Sequence, residues 1–265
     1  MLWYNVLMLF GTDQSAWQPD TVTEGDFIIL KATEGCSFVD ASCDIKYQMN
    51  KSAGKLLGVY HFARPDLNSA EDEANFFVDN VRGYIGEAIL VLDWEQPRTQ
   101  GNVVWAKAWL EKVCALTGVK PLIYMSASVI RENDWSSVAS VDYGLWVAGY
   151  PDLRDSFDLP DFIYDVSPWP FCALWQFTNS GGRLDRDVFM GDREAWLKYA
   201  GAKIDNETPR GTDEINMDKS EVDVFEPSDA DLRAFEIAID EQALELFVFA
   251  NMTPKKKKSI KIRVA

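Results

Sequence analysis

Residues 88–96 read Ala88-Ile89-Leu90-Val91-Leu92-Asp93-Trp94-Glu95-Gln96. Five consecutive apolar residues bounded by polar ones predict a buried strand. Two acids, one residue apart, close it. Side chains two apart on a strand point to the same side, so Asp93 and Glu95 share one face. Two carboxylates facing one way are costly to hold together, because each raises the pKa of the other. Acid–base chemistry needs such a pair, and cleavage of a glycosidic bond is the leading example. The competing reading is a solvated strand end with an incidental acidic pair.

Similar runs lie on both sides of this one. Val6–Phe10, Phe27–Ala32 and Leu56–Phe62 precede it; Pro121–Met125, Leu145–Ala148 and Ala173–Phe177 follow, and a shorter run ends at Leu184. Helical periodicity falls between the earlier runs, at Cys43–Ala53, Ser69–Gly83 and Asn102–Thr117, the last with Trp105, Trp109 and Val113 on one face. Later connections such as Tyr150–Pro170 carry Pro and Asp and look irregular. This order predicts an α/β fold, a TIM-like parallel β/α barrel with degraded last units. The barrel is expected over residues 1–204. Residues 205–223, polar with Pro209 and Gly211, read as a linker. Residues 224–265 alternate in short runs and read as a small β-rich module, either for cell-wall binding or for oligomerisation.

In a β/α barrel all strand C-termini open on one face, where the active site sits. The runs here end on Asp13, on Lys31 and Glu34, on Tyr60, His61, Phe62 and Arg64, and on Asp93 and Glu95. The later ones end on Tyr124 and Ser126, on Trp146 and Tyr150, on Gln176 and on Asp185. Glycosidic cleavage needs a protonated acid and a second carboxylate. Glu95 is the candidate acid, its pKa raised by aromatic walls from Trp94, Tyr124 and Trp146; Asp93 is the ionised partner. Asp13 and Asp185, from the first and last strands, become neighbours when a barrel closes. Tyr60, Phe62, Arg64, Tyr124, Trp146, Tyr150 and Gln176 are the candidate substrate-binding residues, although strand-end aromatics read equally as core. Asp13 also reads as an N-cap, Asp185 and Asp187 as partners of Arg183 and Arg186, and His61 as a hydrogen-bonded barrel residue.

The chain has 265 residues with a net charge of −16, from 26 basic and 42 acidic side chains. That balance argues against a nucleic-acid partner and against anionic membranes. The one basic run, Lys255–Lys258, reads as a solvated loop. One histidine and four cysteines without a C-x-x-C pair predict no metal site and no cofactor, and the cysteines are expected as reduced thiols. Met1–Phe10 lacks a cationic flank and a cleavage site. The expectation is therefore synthesis in a host cytoplasm without a signal peptide, and no membrane-inserted segment.

Taken together, the motifs resemble glycoside hydrolase family 25, the muramidases (lysozymes) found in many phage endolysins. The segments are Gly-Thr-Asp-Gln-Ser-Ala-Trp-Gln (11–18), Phe-Ile-Ile-Leu-Lys-Ala-Thr-Glu-Gly (27–35), Gly-Val-Tyr-His-Phe-Ala-Arg (58–64) and Val-Leu-Asp-Trp-Glu (91–95). Pro-Leu-Ile-Tyr-Met-Ser (121–126), Leu-Trp-Val-Ala-Gly-Tyr (145–150), Leu-Trp-Gln-Phe-Thr (174–178) and Leu-Asp-Arg-Asp-Val-Phe (184–189) follow in the family's order. The resemblance implies a flattened barrel and hydrolysis of the β-1,4 bond between N-acetylmuramic acid and N-acetylglucosamine in bacterial peptidoglycan. It implies Glu95 as catalytic acid, Asp93 as assisting carboxylate, and Asp13 and Asp185 as further groove acids. The opening departs from the usual Asp-Val-Ser or Asp-Ile-Ser at Gln14. A non-catalytic glycan-binding barrel is the rival; it should lack one of the four acids, and none is missing. The product anomer is open to either outcome, with retention through the substrate's acetamido group the expectation.

Overall fold

The computed structural model describes residues 8–180 and 183–202. The expected linker 205–223, the module 224–265 and the basic run Lys255–Lys258 lie outside the described residues. Along the chain the elements are β1 (Leu9–Gln14), β2 (Phe27–Glu34), β3 (Phe38–Val39), α1 (Cys43–Ser52), β4 (Leu56–Phe62) and α2 (Ala70–Val81). A 3-10 turn (Arg82–Tyr84), β5 (Ala88–Asp93), α3 (Val103–Thr117), β6 (Leu122–Ser126), α4 (Ala127–Glu132) and α5 (Ser136–Ala139) follow. The last are β7 (Leu145–Ala148), β8 (Leu174–Thr178), β9 (Asp185–Phe189) and α6 (Arg193–Tyr199).

Eight strands close a barrel in the order β1-β2-β4-β5-β6-β7-β8-β9, with β9 returning to β1. Neighbours from β1 to β8 are parallel. β9 is antiparallel to both β8 and β1. β3 lies outside the ring as a short arm antiparallel to β2. The helical layer thins where expected: no helix occurs between β7 and β8.

Burial on both faces explains the uninterrupted apolar runs. One face of each strand packs against the helices. Ile28, Leu30, Val59, Leu90, Leu92, Ile123, Met125 and Val147 form that layer with Phe77, Trp109 and Val113 of α2 and α3. The alternate positions Phe27, Ile29, Ile89, Val91, Leu122, Leu174 and Phe189 fill the barrel itself. Gly11 faces inward where space is short: a Cβ there would lie 2.4 Å from the Phe27 ring. At the barrel's lower end α6 inserts Trp196, which packs on Phe27 at 4.5 Å and donates its indole N–H to the Leu57 carbonyl at 3.2 Å.

Helix ends follow capping rules. Ser69 accepts the Asp72 N–H at the start of α2, and the Asn102 side chain accepts the Trp105 N–H at the start of α3. Gly118 ends α3 in the left-handed conformation, φ 73°.

The largest boundary differences from expectation are at the first and last strands. The first strand starts at Leu9 and runs to Gln14, beyond Phe10, because Gly11 to Gln14 pair with β2 and Gly11 to Asp13 also with β9. The last strand begins at Asp185 instead of ending at Leu184, and its inward positions Asp185 and Asp187 are polar, so no apolar run marks it. The four cysteines are free. Among the described residues no cluster suits a metal ion, and no helix is long and apolar enough to cross a membrane.

Candidate active site

The upper rim of the barrel gathers the acids. Asp93 is the last residue of β5, paired with Phe62 on one side and Tyr124 on the other. The Trp94 N–H then bonds the Tyr124 carbonyl at 2.9 Å, which carries the strand direction on to Glu95. Asp13 near the end of β1 and Asp185 at the start of β9 are register partners. Because β9 runs antiparallel, its first residue reaches the same rim as the last residues of the parallel strands.

A hydrogen-bond chain ties this rim together. Gln176 on β8 donates from Nε2 to Asp13 Oδ2 at 2.6 Å. Its Oε1 accepts the Tyr124 hydroxyl at 2.8 Å and the Tyr150 hydroxyl as well. Trp146 donates its indole N–H to Asp187 Oδ1 at 3.0 Å. Tyr60 reports where the charges converge. Burial raises its hydroxyl pKa first, and then the carboxylates of Asp13, Asp93, Glu95 and Asp185 raise it further.

The carboxyl groups are shifted upward. Burial is the leading cause for each. Asp93 is 6% exposed, and its Oδ1 has no hydrogen-bond donor. Burial, then Glu95 and Asp13, push it well above the usual carboxylate range. Asp13 is pushed likewise, by burial and then Asp185. Asp185 is pushed up to about 6 by burial and then Glu95. Glu95 is open to solvent at the rim, yet protein packed around it still raises its pKa, with Lys31 opposing. Lys31 is the nearby cation. Its ammonium bonds Glu34 at 2.7 Å and lies 4.9 Å from the centre of the Phe62 ring.

A family model described as glycosyl hydrolases family 25 matches residues 11–185, about two thirds of the chain. The chain belongs to glycosyl hydrolases family 25. An N,O-diacetylmuramidase of Arthroderma benhamiae is 30% identical over 211 residues, covering 72% of this chain and 86% of that one. A lysozyme of Streptococcus phage Cp-1 is 30% identical over 173 residues, covering 63% of this chain and 47% of that one. The crystal structure of a bacterial lysozyme from Streptomyces coelicolor superimposes with a TM-score of 0.60 at 26% identity, covering 73% of this chain and 97% of that one.

Within this family 25 barrel, the four acids expected from the sequence line one rim, but not every expected neighbour does. Trp94 is 1% exposed and turned to the helical layer, stacked on Trp105 with its indole N–H on the Gln100 carbonyl. Strand alternation sends it away from Asp93 and Glu95, so it is no wall for the acid. Tyr124, Trp146 and Gln176 are also buried. They shape the groove floor through hydrogen bonds instead of offering ring faces to a sugar. Tyr60 and Phe62 are half-buried, and Tyr150 is open to solvent. Arg64 stands at the edge, paired with Glu34 at 3.0 Å and Asp66 at 3.2 Å. Asp93 is driven upward as well as Glu95, whereas the sequence expectation has Glu95 as the raised acid and Asp93 as the ionised one.

His61 is a structural residue. It is fully buried between Thr33 Oγ1 at 2.7 Å and Glu73 Oε2 at 2.8 Å, and it stacks on Trp109. Glu73 also accepts the Arg64 N–H and the Asn68 side chain, which pins the loop that carries Arg64. Gln14 is buried and donates to Thr12 Oγ1 at 3.3 Å, while its Oε1 has no partner. Two residues at the site were not in the expected set. Lys31 ends an apolar run and could have been found from that position. Asp187 lies two residues after Asp185 on β9, so alternation alone puts both carboxyls inside the barrel. Its proposed partners are otherwise engaged: Arg183 and Arg186 pair with Asp155 at 2.8 and 2.6 Å.

Proposed function

We propose that this family 25 hydrolase is an N-acetylmuramidase, cleaving the β-1,4 bond between N-acetylmuramic acid and N-acetylglucosamine in bacterial peptidoglycan. The observation that carries the reading is the placement of Asp13, Asp93, Glu95 and Asp185 on one rim of the barrel, at the ends of β1 and β5 and the start of β9. The names of the fungal muramidase and the bacterial lysozyme support the substrate.

Glu95 is the proton donor in this proposal. It is the acid open to solvent, where a leaving oxygen can approach, and its raised pKa favours the protonated form needed for general acid catalysis. Asp93 assists. Its Oδ1 lacks a donor in the protein, and the N–H of the substrate's 2-acetamido group is a donor of suitable chemistry. Asp93 accepts that N–H on Oδ1, which holds the acetamido oxygen against the anomeric carbon. Glu95 protonates the departing glucosamine O4 as the C1–O4 bond breaks and the acetamido oxygen bonds to C1. Water then opens the cyclic intermediate, passing its proton back to Glu95, and the configuration at C1 is retained. Asp13 and Asp185 stabilise positive charge at the reacting carbon. Tyr60, Phe62, Arg64 and Tyr150 contact the glycan.

Glu95→Gln should fold normally yet lose at least about a hundredfold in wall lysis, the scale for removing a general acid. Normal lysis by that variant would overturn the assignment. NMR of the first-formed anomer should show β product; α product would exclude retention. The similarity to the lysozyme of Streptococcus phage Cp-1 supports a role in lysis of a bacterial host, with synthesis in its cytoplasm and action on its wall. The module 224–265 is proposed to bind the wall or to assemble copies of the chain. Fused to a fluorescent protein, it should decorate walls in the first case. In the second it should form a larger species without decorating them.

A further inference from the structure

Asp187 is the buried acid that the mechanism above leaves unused. It is fully buried, in register with Gly11 on β1 and with Gln176 on β8. Trp146 Nε1–H takes one oxygen, Oδ1, at 3.0 Å, and Oδ2 has no donor. No Lys or Arg among the described residues pairs with it. Asp13 pairs with Asp185 two positions along the same β1–β9 ladder, so its carboxyl and that of Asp187 are neighbours on the inward face.

Two carboxyl groups in contact, without a cation, hold one proton between them. Each oxygen then has a defined role. Oδ1 of Asp187 accepts from Trp146, so Oδ2 is the oxygen left to carry hydrogen. Asp13 already accepts from Gln176 on Oδ2. We propose that Asp187 is a positioning residue that stays protonated and donates a hydrogen bond from Oδ2 to Asp13, fixing Asp13 in the groove. The direction of its titration agrees: burial, then the charges of Asp13 and Asp185, raise Asp187 well above the usual range. A chain then runs from Trp146 through Asp187 to Asp13, which Gln176, itself held by Tyr124 and Tyr150, grips from the other side.

The inference rests on the muramidase reading for its effect on rate, but not for the proton itself. Two variants separate hydrogen bonding from packing. Asp187→Asn keeps an acceptor for Trp146 and supplies an N–H for Asp13. Asp187→Leu keeps the branched heavy-atom shape and can do neither. On a soluble muropeptide oligosaccharide, Asp187→Asn should rescue kcat to within about threefold of the parent. Asp187→Leu should lose roughly ten- to a hundredfold in kcat, the scale for one hydrogen bond to a charged group, with KM little changed. Equal kcat for the two variants would overturn the proposal. The second readout needs no activity. With carbonyl-labelled aspartate, infrared difference spectra at neutral pH should show a protonated-carboxyl band in the parent that Asp187→Asn removes. If no such band is lost, Asp187 is ionised and the proposal fails, whether or not the protein lyses walls. Failure of the parent to lyse walls would instead refute the muramidase reading and leave the infrared result standing.

Discussion

Glu95→Gln probes the groove through a second residue as well as through activity. The Asp185 carboxyl is held at about 6, and burial contributes more to that value than the charge of Glu95 does. Glutamine has the same shape and no charge. It removes the smaller cause and leaves burial in place, so less than half of the rise above 3.8 disappears. Asp185 should therefore fall from about 6 towards the ordinary carboxylate range without reaching it. Carbon-13 NMR titration of aspartate side-chain carboxyls measures this directly, with Asp185→Asn identifying the resonance. Glu95 is open to solvent, so the substitution should change stability by only about 0.5 kcal/mol. An Asp185 pKa that stays at about 6 would mean that Glu95 does not reach across the groove. That result would refute the convergence on which the functional reading depends.

Glu73→Ala should destabilise the barrel by about 3–5 kcal/mol, seen as a lowered denaturation midpoint, because His61, Arg64 N–H and Asn68 lose one shared buried acceptor. A change below about 1 kcal/mol would show that the latch under the Arg64 loop is not a real constraint. Asp93→Asn should abolish most lysis yet stabilise the fold on the order of 1 kcal/mol at neutral pH. The sign follows from linkage. A carboxyl whose folded pKa lies above its unfolded value of 3.8 favours folding below 3.8 and loses that contribution as pH rises towards the folded pKa. The stability gap between variant and parent should thus widen from about pH 4 upward in thermal melts; a gap that narrows contradicts the burial argument. The rate of lysis should also persist above the ordinary carboxylate range, since Glu95 and its neighbours are raised, and should fall once the coupled acids lose their last proton. A pH–rate profile already declining near pH 4.5 would show that the groove does not hold its protons.

Much of the barrel was legible because its strands are buried on both faces. Runs such as Ala88–Leu92 and Leu145–Ala148 have no other place in a chain of this size. The start of α3 was visible in Asn102, and that of α2 in Ser69 followed by three acids. β9 was legible only as a short run ending at Leu184, just before its true start, because its inward Asp185 and Asp187 and outward Arg186 leave only Val188 and Phe189 as apolar markers. Seven-residue α6 is too short for periodicity to detect, although its Trp196 closes the barrel. At the site, spacing gave the acids their common face but not their depth. Asp93 is buried and Glu95 open because β5 ends between them. Trp146 and Tyr124 looked equally suited to core or sugar contact; register pairs Trp146 with Leu174, inside the barrel and below Ala148 at the rim. Trp94 was readable from alternation alone, since a residue between two groove-facing acids must face the helices.

The bond that is cut decides the function. Purified cell-wall peptidoglycan digested with the full chain, then analysed by mass spectrometry after reduction of the new ends, identifies the sugar at each cut. Reduced muramic acid is expected at the new termini, with the stem peptides intact. Reduced glucosamine termini or released peptides would contradict it.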